Sequence, residues 1–415
     1  MRAVAAFVTS FERRLRLFAR SSGAMAAFWA PPPHIARDTQ ALAATCNTVD
    51  SVGAPRLLDG LAGAAFHAFI HLGIGLRLRH IYADNKDAGL AGEEEQAAVA
   101  ETMVAEGLAY LSHSWLPVGG DGALFDAAFA TTTAGANGGA AQSSWRGVVE
   151  QLHQERELSR LLMAEWAQVE GLATGYFQRC MHAFAPFSSN AATVSPAPAK
   201  ALLRYGRIVE DLLLLPSDDG KAGVGYAAAL LTMALEIFVC VRDCDYFLLH
   251  GVTAAFSLLP LLPLLSEDAA RRACRRLLCG LLATYVAQGC PSLLLLPLPR
   301  PSIETAALSD SARALRWAAL RRDAVGDASA ADARLVAQGG DVELQNEHVY
   351  KLLWFCQDLD LNTSGNVDRS DQSTASGGGP GHWLLYAAAH KALRMELSGR
   401  SGERPVFQQS HRAST

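Results

Sequence analysis

Charge is sparse in this sequence. Only 19% of its 415 residues are Asp, Glu, Lys or Arg, and the net charge is −5 at pH 7. Without a basic excess the chain lacks the electrostatic footprint of a nucleic-acid binder, and no nucleic-acid partner is expected. Aromatic residues make up 8%. The eight cysteines (Cys46, Cys180, Cys240, Cys244, Cys274, Cys279, Cys290 and Cys356) contain no CxxC pair, which disfavours a zinc site built on thiolates. Free buried thiols in a reducing compartment are the simpler account, and a cytoplasmic protein is expected. No glycine fingerprint for a phosphate follows a strand pattern. Gly73 and Gly75 lie inside a helical pattern, so nothing supports a flavin or a nicotinamide cofactor held by a Rossmann turn. There is no internal repeat and no clear linker between two cores.

Apolar sequence is abundant. Half of the residues are hydrophobic, and the apolar runs break at helical rather than alternating spacing. The expected fold is all-α: one large multi-helical domain with several fully buried helices. Residues 31–400 would form that domain and 401–415 a disordered tail. Residues 1–30 carry Arg2, Arg13, Arg14, Arg16 and Arg20 against a single acid, Glu12. That composition suits an organellar targeting segment or a basic surface helix with Phe7, Phe11, Leu15 and Phe18 on one side; the helix is preferred. Tyr226–Val241 and Tyr246–Leu265 approach the length of a membrane span, and the mean hydropathy of +0.12 is high. Glu236, His250, Pro260 and Pro263 interrupt them, and a large helical core holds similar segments, so membrane insertion is not expected.

The chemistry-bearing residues begin in Leu61–Leu76, LAGAAFHAFIHLGIGL. If the segment is helical, His67 and His71 lie one turn apart on one face of an otherwise apolar helix. A buried polar ring without a partner costs roughly 1–3 kcal/mol, so two of them suggest a metal, a substrate or a carboxylate nearby. The HxxxH spacing alone is equally compatible with ligation and with a structural pair. His250 sits in FLLHGVT, ahead of a glycine that permits close approach. His348 and Lys351 share a helix face within NEHVYKLLW. From spacing alone Lys351 is a snorkelling ammonium. Buried, it would be a neutral amine able to add carbon dioxide, and the carbamate would be an oxygen donor for iron beside imidazoles. Glu106 and Glu236 could accept from a ring N–H, although a surface acid and a buried hydrogen bond are the simpler readings. Asp243 and Asp245 read as solvated turn residues, Tyr285 and Tyr350 as packing residues, and His382 and His390 as surface residues. Phe66, Phe69, Phe247 and Trp354 could wall an apolar slot for a planar ligand. Arg271, Arg272, Arg275 and Arg276 are expected on the outer side of a helix over Ala269–Ala287.

The stretches AFHAFIHLGIGL, VAEGLA (Val104–Ala109), LLHGVT, TYVAQGCP, NEHVYKLLW and LYAAA (Leu385–Ala389) occur in this order. Together they resemble the questin oxidase family, from about Phe11 to about Leu397. The resemblance implies an α-helical oxygenase of secondary metabolism that opens the ring of anthraquinones, a Baeyer–Villiger-like outcome associated with NADPH. It also implies, by similarity to non-haem iron dioxygenases, a metal centre of His67, His71, His250 and His348 with Lys351 as carbamate. The substrates would be a small aromatic compound and O2. The family's opening helix with an Asn-His motif has no counterpart here, and the one early histidine is His34, in a proline-rich loop. Either the start is truncated relative to the family or that function is absent; if the missing histidine is a ligand, the expectation is weak metal binding or an inactive protein. Two other readings stay open: a metal-free NADPH-dependent oxidase using the histidines as acid and base, and an inactive or membrane-associated helical binding protein. The oligomeric state is not legible.

Overall fold

The computed structural model describes residues 40, 42, 43, 46, 56–84, 93–120, 122–130, 144–154, 184–188, 197–213, 222–241, 246–288, 290, 293, 310–325, 347–363 and 382–397. The described part is all-α, with no strand and only two isolated bridges. In chain order its helices are α1 (His67–Asp84), α2 (Glu93–His113), α3 (Gly122–Ala130), α4 (Trp145–Gln154), α5 (Ala197–Leu213), α6 (Ala222–Cys240), α7 (Tyr246–Leu258), α8 (Glu267–Ala287), α9 (Asp310–Val325), α10 (Glu347–Thr363) and α11 (His382–Leu397). The basic segment 1–30, the tail 401–415 and His34 lie outside the described residues.

Local chemistry sets the helix ends. Pro260 and Pro263 lack the amide that an α-helix needs, so α7 stops at Leu258 and continues as a 3-10 segment, Leu259–Leu264. Ser266 caps α8 by accepting from the Ala269 amide at 3.3 Å, and Glu267 and Asp268 favour its positive end. Carbonyls at the end of α6 and just beyond it are taken by another helix: Lys391 of α11 donates to Phe238 O at 2.6 Å, to Val239 O at 3.3 Å and to Val241 O. Trp317 of α9 donates to Asp360 of α10 at 2.7 Å.

Buried at the centre are α7, the second half of α8 and most of α1; apart from Arg276 these are the apolar stretches expected inside. Two stretches, Gly223–Cys240 and Phe247–Leu264, are long and apolar enough to cross a membrane by composition, but 50% and 72% of them are buried against neighbouring helices. The second is buried as a core helix is. The cysteines fit the same interior. Cys46, Cys274, Cys279, Cys290 and Cys356 are free and buried, and burial pushes the Cys279 and Cys290 thiols up to about 12. Cys180 and Cys244 lie outside the described residues.

The arginines of α8 are a correction. Arg276 is 1% exposed and Asp59 only 4%. Arg272 binds both oxygens of Asp59 at 2.7 Å, Arg276 Nε reaches Asp59 Oδ1 at 3.2 Å, and Arg276 Nη1 donates to Val118 O and Gly120 O. The Arg276 guanidinium lies 3.6 Å from the centre of the Phe125 ring, and Arg272 also meets Asp126. Arg275 binds Glu210, itself 1% exposed, at 2.8 Å. Only Arg271 is a surface arginine, paired with Glu267 one turn earlier. The face bearing Arg272 and Arg276 is turned inward because the chain from Leu57 to Gly60 brings Asp59 against it.

Burial alone would raise the Asp59 carboxyl, but the Arg272 hydrogen bond and the charges of Arg276 and Arg272 outweigh it and hold it below its ordinary value of 3.8. A carboxyl lowered by folding contributes stability above its unfolded value and loses it as pH falls through the folded one. Chemical denaturation followed by circular dichroism should therefore show stability falling below about pH 4, with a smaller fall for Asp59→Asn. That variant strands Arg276 as a buried charge and should cost about 3–5 kcal/mol at neutral pH.

Candidate metal centre

The structure brings three of the five candidate ligands together. His67 and His250 have ring centroids 4.4 Å apart, His250 and His348 4.4 Å, and His67 and His348 5.5 Å. One nitrogen from each ring lies within 4.8 Å of the others, and this is the group among the described residues with metal-holding geometry. His250 is 1% exposed. The His67 tautomer follows from its partner. Nδ1 lies 2.8 Å from the Ala64 carbonyl, which can only accept, so Nδ1 carries a proton and the neutral ring presents its lone pair at Nε2. A ligating histidine is ordinarily oriented by such a bond from its other nitrogen. Imidazole binds a cation in its neutral form, so three rings that converge inside a protein fit a metal.

Three helices carry these rings, and each pair of helices is locked further along. Gly73 of α1 lies against Ser257 of α7, where a Cβ would come 2.3 Å from the serine Cβ. Phe256 of α7 stacks on Phe355 of α10, with centroids 5.1 Å apart and planes at 8°. Arg77 of α1 grips Asp358 of α10 with two hydrogen bonds of 2.8 and 2.9 Å. Each lock sits about two to three turns beyond the histidine of its helix. The three helices therefore run parallel, and their N-terminal ends meet at the histidines. Those ends carry partial positive charge, which favours electron-rich ligands beside a bound cation.

The segment expected to be helical from Leu61 becomes α-helical only at His67. Gly63–Phe66 instead form a left-handed turn, with Ala64, Ala65 and Phe66 at φ of 52°, 53° and 68°. Each such residue costs roughly 1–2 kcal/mol relative to right-handed backbone.

His71 lies outside the group of three. Its Nε2 is 3.2 Å from Glu106 Oε2, and both side chains are partly exposed. The pair forms because α1 and α2 touch backbone to backbone: a Cβ on Gly107 would meet Leu72 Cα at 2.7 Å. Glu106 is thus an acceptor for a histidine ring. Lys351 is buried, at 7% exposure, on the helix of His348. Glu236 binds Arg146 at 2.7 Å near the surface, and Tyr285 is fully buried with its hydroxyl raised by that burial. Phe66, Phe69, Phe247 and Trp354 are buried, and Phe184 bridges Phe66 and Phe247 at 5.5 and 4.9 Å. Asp243 and Asp245 and the side chains of Tyr350 and His382 lie outside the described residues. Sequence reasoning missed Asp59, Phe184 and the two inward arginines. Their signal was the pair four apart, Arg272 and Arg276, running into the apolar LLCGLL.

A family model described as questin oxidase-like matches residues 87–353. The chain belongs to the questin oxidase-like family. The matched region holds His250, His348 and Lys351, and the family is one of oxidoreductases. His67 and His71 precede it. Comparison with curated proteins and with solved structures gives no match.

The lock between α1 and α7 has a measurable consequence. Gly73→Ala forces Ser257 away and should cost about 1–3 kcal/mol of stability as overpacking. Metal affinity should fall with it, because His67 and His250 are set apart. Thermal denaturation and Co(II) titration of the variant check both.

Proposed function

We propose that this questin oxidase-like protein is a non-haem iron oxygenase that cleaves a phenolic ring of an anthraquinone or related aromatic polyketide with O2. The observation that carries the reading is the convergence of His67, His250 and His348 inside a protein of an oxidoreductase family. Imidazole suits iron, zinc, copper and nickel; oxidative chemistry selects a redox metal, and iron is our choice. Bound iron would supply the one-electron chemistry with O2 that side chains lack.

The chain's own residues do the rest. His67, through Nε2, His250 and His348 hold the ion. Lys351, one turn beyond His348 and buried, is the candidate for an added oxygen donor as its carbamate. His71, steadied by Glu106, takes the proton of a substrate hydroxyl. The positive ends of α1, α7 and α10 favour the phenolate so formed. Phe66, Phe184 and Phe247 give the site apolar walls that suit a flat aromatic ring and keep water away.

Electron counting separates a dioxygenase from a monooxygenase, and metal content separates the iron reading from the metal-free oxidase. Insertion of one oxygen atom with reduction of the other to water requires two electrons from NADPH, whereas insertion of both atoms requires none. Elemental analysis of the purified protein should find about one iron per chain. His250→Ala should lose the metal while keeping its helical circular dichroism spectrum. Ring cleavage of an anthraquinone by a demonstrably metal-free preparation, with stoichiometric NADPH consumption, would sink the iron reading.

A further inference from the structure

Ala64, Ala65 and Phe66 are consecutive residues with side chains, and all lie at positive φ. Glycine enters this region freely. Other residues do so singly, and a run of three persists only where the surroundings hold it. Here the hold is visible. The Phe66 ring is 0% exposed and meets Phe184 edge-on at 86°. On its other side lies α8, where a Cβ on Gly280 would come 2.8 Å from the ring. The turn delivers one carbonyl. In an uninterrupted α-helix the Ala64 oxygen would serve the amide of residue 68. Here it accepts both the backbone amide and the ring Nδ1 of His67. Right-handed backbone begins at His67 itself, at φ −54° and ψ −43°.

We infer that the left-handed turn Gly63–Phe66 is the positioning element of the metal centre: by presenting Ala64 O to Nδ1 it fixes the His67 tautomer and turns Nε2 toward His250 and His348. The inference rests on the metal-binding reading above. Phe66 is the wedge, and Gly280 leaves the room that the wedge occupies. None of these residues is a ligand; they act through His67.

The test reads the ring nitrogens of His67 by 15N NMR in metal-free protein, beside Co(II) affinity and the melting temperature. The parent should show a single His67 tautomer, protonated at Nδ1. Ala65→Gly, which removes the cost of positive φ, should keep that tautomer and the parent's Co(II) affinity and melt no lower. Gly280→Ala, which pushes the Phe66 ring, and Ala65→Val, whose β-branched side chain resists the turn, should lose the single tautomer. Both should bind Co(II) at least about tenfold more weakly while keeping the helical spectrum. If Ala65→Val does not fold, Gly280→Ala decides alone. A parent with the proton on Nε2, or a folded Gly280→Ala that keeps the parent's tautomer and affinity, overturns the inference. The tautomer is read without metal, so a parent with the Nδ1 proton that takes up no Co(II) counts against the metal reading and not against the turn.

Discussion

The close contact of α1 with α7 at Gly73 and Ser257 governs the rest of the site. Gly73 presents no side chain there, so α1 approaches Ser257 of α7 more closely than any other residue would allow. Two turns earlier, the same approach sets the His67 and His250 rings 4.4 Å apart. The stacked Phe256 and Phe355 do the same for α7 and α10, and Arg77 with Asp358 closes the triangle. A three-sided frame of parallel helices is rigid because moving one helix breaks two of its three locks. A metal site gains from such a frame, since ligands that hold their position without the ion lose little freedom when it binds.

The frame is anchored by charges that the protein has taken inside. Asp59 lies in the short segment that leads into the left-handed turn, and Arg272 and Arg276 pin it to α8. Buried ion pairs contribute little net stability over an apolar replacement, but they tolerate few alternative arrangements. The chain entering α1 is thus fixed twice. Asp59 holds it electrostatically, and Phe66 wedges it between Phe184 and the Gly280 notch on α8. His67 follows directly, so a residue at the end of an irregular segment is held as firmly as one in mid-helix.

Family kinship and geometry divide the centre between them. The region matched by the questin oxidase-like family model runs over 87–353 and brings His250 and His348. His67 arrives from the preceding segment, through a turn whose three positive φ angles no family pattern would announce. The centre joins two parts of the chain that no local sequence feature links. His71, for all its regular spacing from His67, is drawn to Glu106 on α2.

The sequence by itself determined the fold class and the helices that carry the histidines, because helical periodicity and proline or glycine breaks are local physics. It also singled out every histidine that meets at the centre, since a polar ring in an apolar run is conspicuous wherever it occurs. It missed α3, where Phe125 and Phe129 four apart were the available signal. It placed Arg272 and Arg276 outside because arginine is costly to bury and its partner, Asp59, is more than two hundred residues away. Only the tertiary structure decided which imidazoles converge. HxxxH puts two rings one turn apart on α1, but α7 and α10 meet α1 along the side of His67, Gly73 and Arg77, whereas α2 packs on the side of His71 and Leu72. It alone decided the left-handed turn too: Ala-Ala-Phe prefers a right-handed helix, and the packing of Phe66 with the bonding of Ala64 O overrides that local preference.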